Sequence, residues 1–183
     1  MNTISSTVPL VVLDDIGVFR RYRDVGALAA SGQRPESTRC VVDRDGQYFH
    51  LEADPAGNLT LSRPLGPIEF YSLRQQFVRD QHRHPELHRI LRIYPDTMGA
   101  FLDSLFEELS LEEPGDEQQW LVITGGQTLR APGLDAVDRR VVRAPEAAVV
   151  VDPFGHRYRP HMVRRGGLAR RLRGRPVYVE IAG

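Results

Sequence analysis

The chain contains no lysine; all 24 of its lysine-plus-arginine positions are arginine. A GC-rich bacterial genome accounts for that usage, and the physical consequence holds whatever its cause. Guanidinium groups pair bidentately with carboxylate and phosphate and stack on aromatic rings, which ammonium groups do not. Cysteine is nearly absent as well. Cys40 stands alone, so no intrachain disulfide can form and a secreted disulfide scaffold is excluded. No apolar run approaches the roughly 20 residues of a membrane-spanning helix. Val8 to Leu13 is too short to serve as a signal-peptide core, and no basic region precedes it. The expected location is therefore the bacterial cytoplasm, and no cofactor motif is evident.

What is present is ordinary in amount and unusual in arrangement. Of 183 residues, 41% are hydrophobic and 26% charged, with a formal net charge of zero, a balance that buries a real core in one domain or two small ones. The zero conceals a separation by sign. Between Ile93 and Leu129 lie Asp96, Asp103, Glu107, Glu108, Glu112, Glu113, Asp116 and Glu117, without one arginine. Between Arg139 and Arg175 arginine dominates, against only Glu146 and Asp152. One-signed surfaces attract their opposites within a chain, across a dimer or on another molecule.

The apolar spacing predicts an α+β fold: an antiparallel sheet meander, a central helical segment and a β-rich C-terminal part. Val8 to Leu13 reads as a buried strand. Arg39 to Val42 and Gln47 to Leu51 flank Asp43-Arg44-Asp45-Gly46, a hairpin turn in which aspartate bonds ahead and glycine supplies positive φ. A third strand, Leu59 to Ser62, follows the turn Asp54 to Asn58. Three helical stripes come next. They are Phe70, Leu73, Phe77 and Val78; then Leu87, Ile90, Leu91 and Tyr94; then Met98, Phe101, Leu102, Leu105, Phe106 and Leu109, with acids on its other face. Trp120 to Thr124, Ala147 to Val151 and Val177 to Ile181 read as strands, with a short helix at Leu168 to Arg173. The acidic stretch from Ser110 to Gln118 divides an α+β part, residues 1–113, from a β-rich, arginine-rich part, residues 119–183, unless the two form one compact domain. Val150-Val151-Asp152-Pro153-Phe154-Gly155 echoes Val41 to Gly46, and Tyr158 echoes Phe49. Shared turn chemistry explains so short a match more simply than duplication does.

The strongest candidate site is arginine-rich: Arg157, Arg159, Arg164, Arg165, Arg170, Arg171, Arg173 and Arg175, among Tyr158, His161 and three glycines. Such a stretch suits an acidic protein surface or a nucleic-acid backbone. It is equally suited to pairing with the acidic helix of the same chain, and the cancelling totals favour a protein partner over phosphate. A homodimer stays open; a membrane partner does not. Two histidines with arginines, His156 and His161 beside Arg157 and Arg159, are the parts of a histidine-dependent phosphodiesterase or RNase. A regular strand, however, would point positions 156 and 161 to opposite faces. His82, His84 and His88 offer weak metal-ligand spacing, without cysteine nearby. Cys40, beside Val41 and Val42, reads as a small buried hydrophobe. Thr124-Gly125-Gly126 reads as a turn, since no nucleotide-binding or P-loop glycine pattern accompanies it.

Ile16-Gly17-Val18-Phe19, the segment Asp24 to Ala30, and Val42-Asp43-Arg44-Asp45-Gly46 followed by Tyr48, Phe49 and Leu51 resemble the opening of small bacterial α+β proteins, some of them toxin-immunity-like. The resemblance spans residues 15–51, and the arginine-rich end departs from that family, which is shorter and acidic. It implies an α+β fold and a non-enzymatic role. The expected function is therefore a non-enzymatic binding or accessory protein engaging an acidic protein partner, with nucleic-acid binding and histidine-dependent phosphodiester chemistry as alternatives.

Overall fold

In a computed structural model of the chain, the described residues are 8–111, 113, 118–142, 145–162 and 175–182. The fold is α+β. It divides into two units, residues 1–83 with 95–109, and residues 84–94 with 110–183.

The first unit starts on a strand without a polar face. β1 (Leu10–Asp14) is buried along its whole length, as a continuous apolar run must be when both sides of a sheet are covered. β2 (Phe19–Tyr22) returns antiparallel beside it, after a turn in which Asp14 accepts the Val18 N–H at 2.7 Å. β3 (Thr38–Asp43) flanks the other side of β1, and β4 (Tyr48–Phe49) pairs with β3, giving the order β2-β1-β3-β4. Helix α1 (Val25–Ala30) is capped by Asp24, whose carboxylate accepts the Ala27 N–H at 2.6 Å. Its Leu28 packs with Leu10, Val12, Val41 and Phe49 on one face of the sheet. A small hairpin, β5 (Leu51–Ala53) and β6 (Leu59–Leu61), adds to that cluster. The opposite face carries Val11, Leu13, Phe19, Cys40 and Val42, all buried. Over it lie α2 (Phe70–Arg83) and α3 (Met98–Leu111). Phe77 meets Phe19 edge-on at 5.2 Å and Phe101 at 6.3 Å, and Asp80 accepts the Phe19 N–H at 2.7 Å.

The second unit is a wider sheet, ordered β7 (Ile90–Leu91), β12 (Pro176–Glu180), β11 (Arg157–Met162), β10 (Val149–Val151), β8 (Trp120–Thr124) and β9 (Gln127–Ala131). Among the described residues, only the β12–β7 pair of this sheet is parallel. Gly125 and Gly126, at φ 54° and 77°, make the β8–β9 turn, so the Thr124-Gly125-Gly126 run does form a turn. Trp120, Val122, Val150, Tyr158 and Tyr178 form one core with Val137 and Val141 of α4 (Leu134–Val141).

The two units repeat one order of elements. Each runs hairpin, short helix, 3₁₀ turn (35–37 or 145–147), strand and returning strand. The sheet orders β2-β1-β3-β4 and β9-β8-β10-β11 correspond. Val12 faces Val41 and Val41 faces Phe49; Val122 faces Val150 and Val150 faces Tyr158. The turns match atom for atom. Asp43 Oδ1 accepts the N–H groups of Asp45 and Gln47, and Asp152 Oδ1 those of Phe154 and His156, all between 2.9 and 3.0 Å. Asp54 builds the same turn between β5 and β6. The turn alone therefore recurs freely, whereas the likeness of the two units extends through the six elements from the first hairpin to the returning strand.

Two expectations need correction. No helix forms over Leu87 to Tyr94. Ile90 and Leu91 pair as a strand with Tyr178 and Val179, and the Tyr178 N–H donates to the Arg89 carbonyl at 2.7 Å; tertiary pairing overrides helical spacing there. Residues 84–94, which include this strand, belong to the second unit. The C-terminal part contains a helix that its strand-like runs concealed, α4. The proposed helix at Leu168 to Arg173 lies outside the described residues.

Candidate binding face

Two arginines of the second unit are consumed by its own interior. Arg92 has no exposed side-chain surface; it donates to Asp152 Oδ2 at 2.7 Å and to the Tyr158 hydroxyl at 3.0 Å. That hydroxyl donates to the same carboxylate oxygen at 2.8 Å. Asp152 thus holds its turn with one oxygen and a buried guanidinium with the other. Arg89 repeats the scheme, bonding Asp138 Oδ2 at 2.6 Å while the Tyr178 hydroxyl donates to Oδ1 at 2.7 Å. Burial raises the pKa of both phenols well above the ordinary tyrosine value. The Asp152 charge adds to this at Tyr158 against the pull of Arg92, and the hydrogen bond to Asp138 adds at Tyr178.

The arginines of β11 are disposed oppositely. Tyr158 and Pro160 point into the core, while Arg157, Arg159 and His161 alternate with them and are exposed. Neither Arg157 nor Arg159 forms an ion pair or a side-chain hydrogen bond among the described residues. Register places them on a continuous surface. One row runs Arg130, Leu121, Val151, Arg157 from β9 to β11. The next contains Thr128, Ile123 and Val149, then Arg159, Val179 and Leu91. The aliphatic members are half-buried or, for Val179, 36% exposed. The face is thus an apolar strip flanked by guanidinium groups, and its described rows carry no carboxylate. Glu180 alternates to the other side, where its carboxylate meets His156 Nδ1 and the Ile93 N–H, each at 2.6 Å.

The remaining candidates are placed as follows. Arg175 lies 3.5 Å from Asp135, with both side chains more than half exposed. Arg164, Arg165, Arg170, Arg171 and Arg173 lie outside the described residues. His156 sits in the turn before β11, held by Glu180, whereas His161 stands exposed near the strand's far end, so the structure does not assemble them into an acid–base pair. His82 ends α2 in the first unit; His84 lies 3.7 Å from Glu86, and His88 is buried in the second unit. Among the described residues no three His, Cys, Asp or Glu side chains gather as a metal site. Cys40 is buried, and burial raises its thiol pKa. No described helix is long and apolar enough to cross a membrane.

Sequence reading missed Arg89, Arg92 and Arg130. The first two lie beside their acids only after folding, 49 and 60 residues away along the chain. Arg130 had a legible signal, since it ends an apolar strand-turn-strand run, but it stands outside the arginine-dense stretch. No protein-family model matches the chain, and neither a curated protein nor a solved structure is detectably similar to it.

Proposed function

We propose that the chain is a non-enzymatic binding or accessory protein, immunity-like in that its work is to hold another protein, and that it engages an acidic protein surface through the arginine-bearing face of the second sheet. One observation carries this reading. Arg89 and Arg92 are paired with internal carboxylates, while among the described residues Arg157 and Arg159 stand exposed without an ion pair. Exposed guanidinium groups beside apolar surface fit the composition of interfaces, where arginine is enriched. Their charge accelerates and orients docking to an acidic surface.

The test is affinity purification of the tagged protein from its native host, alongside Arg157→Glu/Arg159→Glu. The expected result is one stoichiometric acidic protein that the charge-reversed variant fails to retain. Retention of that protein by the variant overturns the reading. So does recovery of nucleic acid in its place, with affinity falling steeply as salt rises.

A further inference from the structure

The repeat of the two units exposes a difference between them. In the first, both faces of the sheet are covered: α1 lies on one, and α2 with α3 on the other. In the second, α4 takes the place of α1, but among the described residues no helix of that unit lies on the other face. Positions correspond through the registers. Val11, Leu13, Cys40 and Val42 of the first unit match Leu121, Ile123, Val149 and Val151 of the second. The former are buried, at 0 to 7% exposed, and the latter are all only partly buried. Arg21 matches Arg130, as their pairing with Val11 and Leu121 shows.

We propose that this face, on which no described helix of the unit lies, is a seat for an amphipathic helix of the partner protein, with an apolar stripe flanked by acids, in the place that α2 and α3 fill on the equivalent face of the first unit. This rests on the acidic-partner reading above and specifies the partner's shape. Apolar surface of this kind gains stability when removed from water. Arg130, Arg157 and Arg159 border it, and acids flanking the helix stripe would meet them. A second copy of this chain is a poor occupant, because face-to-face association would set these arginines against one another. α3 illustrates the complement: Phe101, Leu102 and Leu105 are buried on its stripe, while Asp103 on its other side is exposed.

The experiment titrates the full chain with three synthetic peptides, each followed by amide chemical shifts. One is an 18-residue peptide with leucines at helical spacing and glutamates between. The second has the same composition with two central residues replaced by proline, and the third carries lysine for glutamate. The expected result is binding of the first alone, with shifts on β8, β10, β11 and β12. Val179→Asp and Arg157→Glu/Arg159→Glu each weaken it at least about tenfold, while Arg20→Glu on the first unit leaves it unchanged. Equal binding of both acidic peptides overturns the helix seat and leaves the acidic-partner reading standing. Binding of the lysine peptide as tightly, or of none, overturns both.

Discussion

Asp152 and Arg92 form an ion pair at 2.7 Å in which neither side chain reaches solvent, and the same aspartate closes the turn into β11 with its second oxygen. Its counterpart Asp43 closes an identical turn with no guanidinium partner among the described residues. The two positions therefore separate the worth of a turn from the cost of a broken buried pair.

Asp43→Ala should lose about 1.5–3 kcal/mol, the value of hydrogen bonds from backbone N–H groups to a carboxylate. Asp152→Ala should lose about 3–5 kcal/mol, because Arg92 is left buried and uncompensated. Urea unfolding of both variants checks the order. Equal losses would mean that the Arg92 charge finds solvent or another partner when Asp152 is gone.

The phenols of Tyr158 and Tyr178 give a pH prediction. Their pKa values are raised in the folded state, so folding favours the protonated phenol. That contribution is complete below the unfolded tyrosine value of about 10 and is lost as pH climbs above it. Of the chain's six tyrosines, Tyr158 and Tyr178 should resist ionisation until the second unit unfolds. Ultraviolet titration with parallel circular dichroism checks this. Tyr158→Phe and Tyr178→Phe should each remove one late-titrating phenol.

Gly46 and Gly155 occupy the same turn position, at φ 75° and 95°. Alanine at either meets left-handed backbone strain of about 1–2 kcal/mol. At Gly46 the added carbon also lies 3.2 Å from Leu102 Cδ1, whereas at Gly155 it meets nothing within 4 Å. Gly46→Ala should therefore be more destabilising, by about 1 kcal/mol or more. Denaturant midpoints of the two variants decide it.

Local signals in the sequence were enough for the β3–β4 hairpin, for α2 and α3, and for the β8 strand. Each rests on spacing or turn chemistry contained within a dozen residues. The strand at Ile90–Leu91 was not legible, since its helical spacing is outweighed by pairing with residues 88 positions later (Ile90 to Tyr178). α4 was hidden because Leu134, Val137 and Val141 lie between a turn and an arginine run that draws attention as charge. At the candidate face, no strand was expected over Arg157–Met162, so the alternation that buries Tyr158 and exposes Arg157 and Arg159 went unread. Which arginines the interior uses depends on Asp138 and Asp152 arriving from distant strands and helices. No local pattern encodes that.

The central claim is that Arg157 and Arg159 serve another molecule and not the fold. The direct measurement is the unfolding free energy of the Arg157→Ala/Arg159→Ala chain in urea. The account predicts a change within about 0.5 kcal/mol, as for surface substitutions that break no partner. A loss of about 2 kcal/mol or more would show that these guanidinium groups hold the protein itself together, contradicting the binding face.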